Sequence, residues 1–262
     1  MTISVLFLGD VVSSIGVAAI RRDLDAIKKE HAINLVVVNG ENATGGVGID
    51  AKTAKDILSL GVDCITLGDH TFSKKDLFSL PTELLSKIIR PANYAEGAPG
   101  CGWTLIKKDD FECVIINMLG RIFTQPILDC PFLKMESILS QSKCKITLVD
   151  FHAEATSEKY AMGRMLDGRV SVMVGTHTHV QTADEQIFEQ GTGYITDLGM
   201  TGPADGVIGM SKEVAILRFK TGLPHSYTPS KGTPRIQGII AKIEKETGKC
   251  VHIERINKEV KV

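Results

Sequence analysis

The feature that most constrains the fold is a repeated pattern, in which a short apolar run stops at a polar cluster. Leu35–Val38 is apolar throughout and ends at Asn39, as is typical of a parallel strand covered on both faces. The carboxyl ends of parallel strands converge on one crevice, where ligands bind. We therefore expect one site from clusters far apart in the sequence. The clusters are Leu8-Gly9-Asp10, Asn39-Gly40-Glu41-Asn42, Gly68-Asp69-His70, Asp150-Phe151-His152 and Gly175-Thr176-His177-Thr178-His179.

The order of the predicted elements indicates an α/β fold without an internal linker. Strands and helices alternate in the first part of the chain, where Asp50 is expected to cap a helix that ends near Gly61. The pattern then becomes rich in strands. Early alternation followed by many strands predicts two β-sheets with helices on their outer faces. The late strand-like segments are Gly193–Thr196, Val214–Phe219, Arg235–Ile243 and Val251–Ile256.

Composition excludes several classes of protein. The net charge of −1 over 262 residues lacks the basic balance of a protein built to bind duplex nucleic acid. No apolar stretch is long enough to span a bilayer, and Met1–Asp10 is too short for a secretory signal. The six cysteines are scattered, which indicates free thiols rather than a disulfide framework. We expect a cytoplasmic protein without a membrane partner.

The polar clusters have the composition of a metal site. Hard oxygen ligands together with imidazoles suit a first-row transition metal. The most specific signal is Gly175-Thr176-His177-Thr178-His179, where two histidines flanked by hydroxyls follow a buried strand. Glu41 could offer its two oxygens to two ions. There are too many ligand-type residues for one tetrahedral ion, so the sequence predicts two metals, an arrangement suited to phosphoryl displacement.

Several of these residues have simpler interpretations when each is taken alone. Asp10 could cap the next helix, Asn39-Gly40 could form a turn, and His70 could be structural. Arg90 could line a substrate pocket, although a rigid turn is the favoured interpretation. The glycine-rich segment Thr196–Pro203 could fold over the site, although a surface connection is the default for such a loop.

The order of the clusters resembles that of the calcineurin-like metallophosphoesterases, whose plan runs Asp, acidic-Asn, Gly-Asn-His, His and Gly-His-x-His. Longer strings resemble one bacterial branch, the YmdB-like phosphodiesterases, over nearly the whole chain. The matching strings are Leu8-Gly9-Asp10-Val11-Val12, Val38-Asn39-Gly40-Glu41-Asn42-Ala43, the segment 150–159, the segment 174–184 and the segment 196–203.

The resemblance implies a metallophosphoesterase-type sandwich of two β-sheets flanked by helices, in a single domain over residues 1–262. It also implies a site with two metal ions bridged by Glu41, and it places His70 toward the phosphate as general acid. The implied ligands of one ion are Asp10, Glu41, Asn42 and His179. The implied ligands of the other ion are Glu41, Asp69, His152 and His177.

The resemblance further implies the reaction and the partners. The ions would be transition metals, with iron expected and manganese as the alternative. The expected reaction is hydrolysis of cyclic nucleotides of the 2′,3′-cyclic AMP type or of related phosphodiesters, with RNA ends as a further partner. A homo-oligomer is expected. The alternatives are a phosphomonoesterase acting on nucleotides, and a regulatory or interaction protein that keeps the metal site but turns over little.

One residue departs from the family pattern. The chain has Gly68-Asp69-His70 where the family has Gly-Asn-His. An aspartate can still ligate through oxygen, so the site is not lost. Its extra negative charge lowers the net positive charge that a phosphate meets and could strengthen metal binding.

Overall fold

Two β-sheets packed face to face, with helices on their outer sides, form the body of the protein. The structure is a computed structural model that describes residues 1–108, 110–124 and 126–260. The predicted α/β sandwich of two sheets is confirmed, with eight strands in the larger sheet and six in the smaller one.

Strands and helices alternate along much of the chain. The strands are β1 Thr2–Leu8, β2 Asp10–Val11, β3 Leu35–Asn39, β4 Cys64–Thr66, β5 Ile88–Ile89, β6 Trp103–Lys108, β7 Phe111–Leu119, β8 Ile146–His152, β9 Val172–Thr176, β10 Gln186–Ile187, β11 Gly193–Ile195, β12 Met200–Pro203, β13 Pro234–Glu244 and β14 Cys250–Glu259. The helices are α1 Ser13–Glu30, α2 Ala51–Ser59, α3 Thr82–Leu85, α4 Pro131–Gln141, α5 Thr156–Leu166 and α6 Lys212–Thr221, with a 3₁₀ turn at Lys75–Ser79.

The larger sheet has the strand order β2-β12-β13-β1-β3-β4-β5, with β14 beside β13. The smaller sheet has the order β10-β11-β9-β8-β7-β6. Strands β1, β3, β4 and β5 run parallel to one another, and so do β7, β8, β9 and β11. The carboxyl ends of the two parallel sets meet at one edge of the sandwich, where side chains from β3 and β4 bond to β8.

Alternating side chains along each strand divide the core into layers. In β1, Phe7 packs between the sheets, whereas Leu6 and Leu8 pack toward helices α1 and α2. In β8, Leu148 packs between the sheets and Phe151 packs toward α4 and α5. The order of layers is therefore helix, sheet, sheet, helix.

The same alternation makes the layer between the sheets polar at its carboxyl end. Residues 146 and 148 of β8 belong to the apolar layer, so Asp150 and His152 point into it as well, and both are fully buried. Asn39 and Thr176 occupy the corresponding last positions of β3 and β9 and are also buried. The end of the core thus becomes the floor of a polar site.

The predicted boundaries of α2 are confirmed. Asp50 caps the helix, because its Oδ1 accepts a hydrogen bond from the backbone N–H of Thr53 at 2.7 Å. Gly61 follows the end of the helix with φ of +89°, a left-handed conformation that glycine adopts without steric cost.

The prediction of a strand at Val214–Phe219 is wrong, because this segment lies inside helix α6. The side chain of Ser211 caps the helix, and Gly222 ends it with φ of +68°. A short apolar run does not distinguish a strand from a helix by its periodicity. The capping residues at both ends therefore indicate a helix, which the apolar run alone does not.

Two further features concern the state of the cysteines and the length of the helices in the described residues. All six cysteines are free. No helix within these ranges is both long enough and apolar enough to cross a bilayer.

Candidate metal centre

Four ligand-type side chains from four different strand ends meet at the polar edge of the sandwich. One donor atom from each lies within 4.8 Å of the others. His152 Nε2 is 3.2 Å from both Glu41 Oε1 and Asp69 Oδ1, and 3.0 Å from His177 Nδ1. The four residues are Glu41, Asp69, His152 and His177.

A second group of donors adjoins the first and comprises Asp10, Asn42 and His179. His179 Nε2 is 3.6 Å from Asp10 Oδ1 and 3.1 Å from Asn42 Nδ2. Glu41 joins the two groups, because its Oε1 accepts a hydrogen bond from Asn42 Nδ2 at 3.1 Å and also faces His152. The structure therefore brings together all seven residues that were predicted as metal ligands.

Two oxygens at this edge test whether a cation fits. Asp10 Oδ1 and Asn42 Oδ1 are buried and have no hydrogen-bond partner among the residues that the structure describes. Buried polar atoms are nearly always bonded, so such exceptions call for an explanation. Carboxylate oxygens, an amide oxygen and imidazole nitrogens are suitable donors for a first-row transition metal. The donor set therefore fits metal ions.

Charge compensation between carboxylates and imidazoles governs the pKa values of the site. Burial disfavours the charged form of Asp10, but the charges of His179 and His152 outweigh it and hold the pKa of Asp10 below its usual range. The pKa of Glu41 is lowered against burial by His152. Asp69 is likewise low in pKa, because hydrogen bonds to histidine outweigh burial.

The histidines show the opposite shift. Burial disfavours the imidazolium, but the carboxylate of Asp10 raises the pKa of His179 to about 9. Glu41 and Asp69 likewise raise the pKa of the buried His152 well above its ordinary value. Without metal, the buried carboxylates are therefore neutralised by protons on these imidazoles.

His70 lies beside the cluster and half exposed, with 37% of its side chain accessible. Its backbone N–H donates to Glu41 Oε2 at 3.2 Å, and its Nδ1 donates to Glu41 Oε1 at 3.3 Å. The bond to Glu41 raises the pKa of His70 although burial opposes it. Because Nδ1 is engaged, Nε2 is the nitrogen left to face a ligand.

The floor of the site is the buried carboxylate of Asp150. Its Oδ2 accepts hydrogen bonds from Asn39 Nδ2 at 3.1 Å and from Thr66 Oγ1 at 2.5 Å. Its Oδ1 accepts from Thr176 Oγ1 at 2.7 Å, and that hydroxyl lies 2.9 Å from His152 Nδ1. Because Thr176 donates to Asp150, its oxygen accepts from His152, which leaves Nε2 of that ring for the cluster.

The other two histidines predicted as ligands are oriented in the same way. His177 turns Nδ1 to the cluster and Nε2 to Glu154 Oε2, at 3.2 Å. His179 turns Nε2 to Asp10 and Nδ1 to the carbonyl of Ile208, at 2.8 Å. An acceptor on the outer nitrogen fixes ring orientation and tautomer in metal-binding histidines.

The backbone that presents these histidines is strained. His177 and His179 have φ of +99° and +63°, and a residue other than glycine costs about 1–3 kcal/mol in such a conformation. Thr178 between them donates twice to Asp197 Oδ2, from its backbone N–H at 3.2 Å and its Oγ1 at 2.8 Å.

The structure bears on two segments for which the sequence leaves two interpretations open. Arg90 forms a rigid turn, because its guanidinium donates to the carbonyls of Pro91, Ala98 and Pro99. The segment Thr196–Pro203 is buried throughout, so it is neither a surface connection nor a cover over the site.

The sequence does not predict the residues that support the candidate ligands. Glu154 and Lys159 lie within one of the matching strings, yet no spacing rule links either residue to a histidine. Asp197 is separated from Thr178 by strands β10 and β11 and the loops around them. Each of the three is a single charged residue in a loop or a helix, and nothing in the local sequence links it to a histidine.

Comparison with known proteins agrees with this geometry. Residues 6–256 match the family model described as YmdB-like protein. A 2′,3′-cyclic-nucleotide 2′-phosphodiesterase of Bacillus subtilis is 44% identical over 254 residues, which make up 96% of each chain. A crystal structure described as a novel phosphatase of Mycoplasma pneumoniae has 34% identity and a TM-score of 0.93, and covers 99% of this chain and 94% of its own.

A more distant likeness concerns the fold alone. The NAD nucleotidase of Haemophilus influenzae has 14% identity and a TM-score of 0.58, and the match covers 99% of this chain and 56% of that one. The family model, by contrast, spans nearly the whole sequence and includes every strand end that contributes to the cluster. The chain therefore belongs to the YmdB-like protein family.

Proposed function

We propose that this protein is a metal-dependent phosphodiesterase that hydrolyses cyclic nucleotides of the 2′,3′-cyclic AMP type or related phosphodiesters. The observation that carries the proposal is the position of Glu41, whose carboxylate lies between two groups of metal-type donors. A carboxylate shared by two ions is the arrangement used for in-line displacement at phosphorus. The Bacillus subtilis relative, a 2′,3′-cyclic-nucleotide 2′-phosphodiesterase, supports the same reaction.

Two transition-metal ions are proposed, with iron expected and manganese as the alternative. Asp10, Glu41, Asn42 and His179 would hold one ion, and Glu41, Asp69, His152 and His177 would hold the other. When bound, such ions stabilise charge on the phosphoryl oxygens and acidify water. The carboxylates of Asp10, Glu41 and Asp69 carry three negative charges, against four positive charges on two divalent ions. The site would therefore keep a net positive charge for a phosphate.

The cavity beside the cluster has a volume of about 830 Å³ and a mixed lining. It is lined by the polar side chains of His70, His177 and His179 and by the apolar side chains of Ile208 and Phe219. Such a volume is within the usual range for small-molecule sites. A lining of both kinds suits a ligand that combines a phosphate with a flat, weakly polar ring, as a nucleotide does.

The chain's own residues supply the proton chemistry. His70 faces the cavity, and its bond to Glu41 raises its pKa, which favours the protonated ring. From Nε2 it can protonate the oxygen that leaves phosphorus. Glu154 holds His177 in place, and Asp150 holds His152 through Thr176. The ligand rings thus need no reorientation when substrate binds.

The remaining features of the proposal rest on general properties of the chain. We propose a single domain over residues 1–262, because β1 and β13, from distant parts of the chain, share one sheet and one core.

A homo-oligomer is proposed because Ile216 and Leu217 of α6 are 47% and 43% exposed. A cytoplasmic location agrees with the free cysteines. Nucleotides at RNA ends are proposed as a further partner.

A panel of substrates tests the reaction. Metal-loaded protein should hydrolyse 2′,3′-cyclic AMP and bis-nitrophenyl phosphate faster than a nucleoside monophosphate. Preference for the monophosphate would make the protein a phosphomonoesterase. Metal binding without turnover of any of the three would make it a regulatory or interaction protein. Initial rates with each substrate, measured with and without chelator, provide the comparison.

Metal binding should release protons and should strengthen as the pH rises. His152 and His179 hold protons at neutral pH because their pKa values are raised, and a metal ligand must be deprotonated. The affinity for Mn²⁺ should therefore rise by about tenfold per pH unit for each proton displaced, and the contribution of His179 should level off above its pKa of about 9.

Calorimetry with Mn²⁺ in buffers of different ionisation enthalpy measures both the released protons and the stoichiometry. Two ions per chain are expected. An affinity that does not change between pH 6 and pH 9, or a single ion at saturation, would contradict this part of the proposal.

Asp69→Asn should keep the metals and give equal or higher phosphodiesterase turnover. The amide retains an oxygen at the ligand position, and its neutrality repels an anionic substrate less. The measurements are metal content and kcat on the cyclic nucleotide. Asp56→Asn, at a partly exposed ion pair with Arg21, is a matched control for the change of charge. Loss of metal and activity in Asp69→Asn alone would show that the carboxylate is indispensable.

His70→Ala should keep both ions and lose most of its turnover. A positioned general acid contributes about 10²–10⁴-fold, so kcat on 2′,3′-cyclic AMP should fall by about that factor. The loss should be smaller for bis-nitrophenyl phosphate, whose leaving group departs without a proton. His31→Ala, at the end of α1, is the matched control. An equal loss on both substrates would assign phosphate binding to His70, and loss of metal would make it a ligand.

A further inference from the structure

Thr178 has an unusual position, because it lies between two proposed metal ligands and is itself bonded away from them. His177 and His179 on either side both have left-handed backbone. The backbone N–H and the hydroxyl of Thr178 both donate to one oxygen of Asp197. A strained conformation persists only where the surroundings hold it, and these two bonds act at the middle of the strained segment.

The carboxylate of Asp197 reaches a second part of the site. Its Oδ1 accepts from the backbone N–H of Gly199 at 2.8 Å, and the carbonyl of Gly199 accepts from the N–H of Asp10 at 3.1 Å. Asp10 Oδ2 in turn accepts from the N–H of His177 at 3.1 Å. Asp197 is therefore linked to three proposed ligands, which come from both groups. It bonds to Thr178, the residue between His177 and His179, and it is connected to Asp10 through Gly199.

Lys159 of α5 completes this arrangement. Its Nζ donates to Asp197 Oδ2 at 2.7 Å, and both side chains are 1% exposed. A Cβ on Gly175 would lie 2.9 Å from Lys159 Cδ and 1.8 Å from the carbonyl oxygen of Thr196. The glycine that precedes the Thr-His-Thr-His segment thus leaves room for the lysine to reach Asp197.

Stability alone does not account for this ion pair. Replacing a buried ion pair with apolar side chains of similar volume is often neutral or stabilising, because both charges lose their hydration. What an apolar pair cannot do is accept two hydrogen bonds from Thr178 and one from Gly199. The pair is therefore suited to fixing backbone geometry rather than to strengthening the core.

We propose that Lys159, Asp197 and Thr178 form a positioning clamp that holds the His177–His179 segment in its left-handed backbone and thereby preorganises the metal site. Lys159 holds the carboxylate of Asp197 in place, and Asp197 orients Thr178. None of the three contacts a reacting atom in this proposal. The inference rests on the proposed metal site but not on the identity of the substrate.

The test compares two changes at one position. Thr178→Val keeps the shape of the side chain and removes its hydroxyl, whereas Thr178→Ser keeps the hydroxyl. The probe is Mn²⁺, titrated into chelator-treated full-length protein by calorimetry. Loss of a group that orients metal ligands typically weakens metal affinity by about 10–100-fold. We expect a loss of that size in Thr178→Val and recovery to within about threefold of the unchanged protein in Thr178→Ser.

Thermal unfolding in excess chelator separates positioning from a structural effect. The unfolding midpoint of metal-free Thr178→Val should stay close to that of the unchanged protein, because the strained segment is needed only for binding metal. Thr247→Val is the matched control, since Thr247 donates its hydroxyl to Glu244 in the exposed turn between β13 and β14. Its metal affinity should not change.

Asp197→Asn provides a second and stronger change. It removes the charge that pairs with Lys159, and its affinity for Mn²⁺ should fall further than that of Thr178→Val. Unchanged affinity in both variants would overturn the proposal. A lower unfolding midpoint without loss of affinity, or an equal loss of affinity in Thr178→Val and Thr178→Ser, would also overturn it. If the unchanged protein binds metal but hydrolyses no phosphodiester, the proposed function fails while this comparison of affinities still stands.

Discussion

The interaction on which the site depends is the set of hydrogen bonds to the buried carboxylate of Asp150. Asn39 and Thr66 donate to it from the larger sheet, and Thr176 donates from the smaller one. Apolar packing alone would let two sheets slide over each other. A directional contact between them sets their relative position at the edge where ligands must meet to within a fraction of an ångström. Burial raises the pKa of Asp150 to about 6, whereas the charge of His152 and these hydrogen bonds favour its carboxylate form.

The proposed ligands show how such an edge can be built from parallel strands. Each strand end supplies only one or two of the proposed ligands, so no single segment could form the site. Asp10, for example, accepts a hydrogen bond from the backbone N–H of His177 on Oδ2, whereas its Oδ1 has no hydrogen-bond partner among the described residues. The division of one carboxylate between a structural bond and an open position explains how a buried group can be rigid and still be available to a cation.

The sequence predicts those parts of this arrangement that depend on residues close together in the chain. The clusters at the strand ends and the cap at Asp50 could be found, because apolar runs, glycines and capping residues act within a few positions. Helix α6 was missed because its apolar run fits either structure and only Ser211 and Gly222 distinguish them. The sequence shows that Asp150 belongs to a polar cluster, but it does not predict the place of Asp150 beneath the proposed ligands. The pairing of Lys159 with Asp197 depends on the packing of α5 against the loop after β11, and no periodicity encodes a contact of that kind.

The position of β13 has a consequence for how the protein is made. This strand lies beside β1 in the middle of the larger sheet, where Thr2 pairs with Glu244 and Leu8 with Gly238. While the chain is being synthesised, β1 can pair with β3 on one side, but its other edge stays open until residues more than 200 positions later have left the ribosome. An open apolar edge invites pairing with other chains, and contacts of such sequence separation form slowly. The nascent chain therefore has an open edge on its central strand for most of translation, and the larger sheet is complete only after β13 has paired with β1.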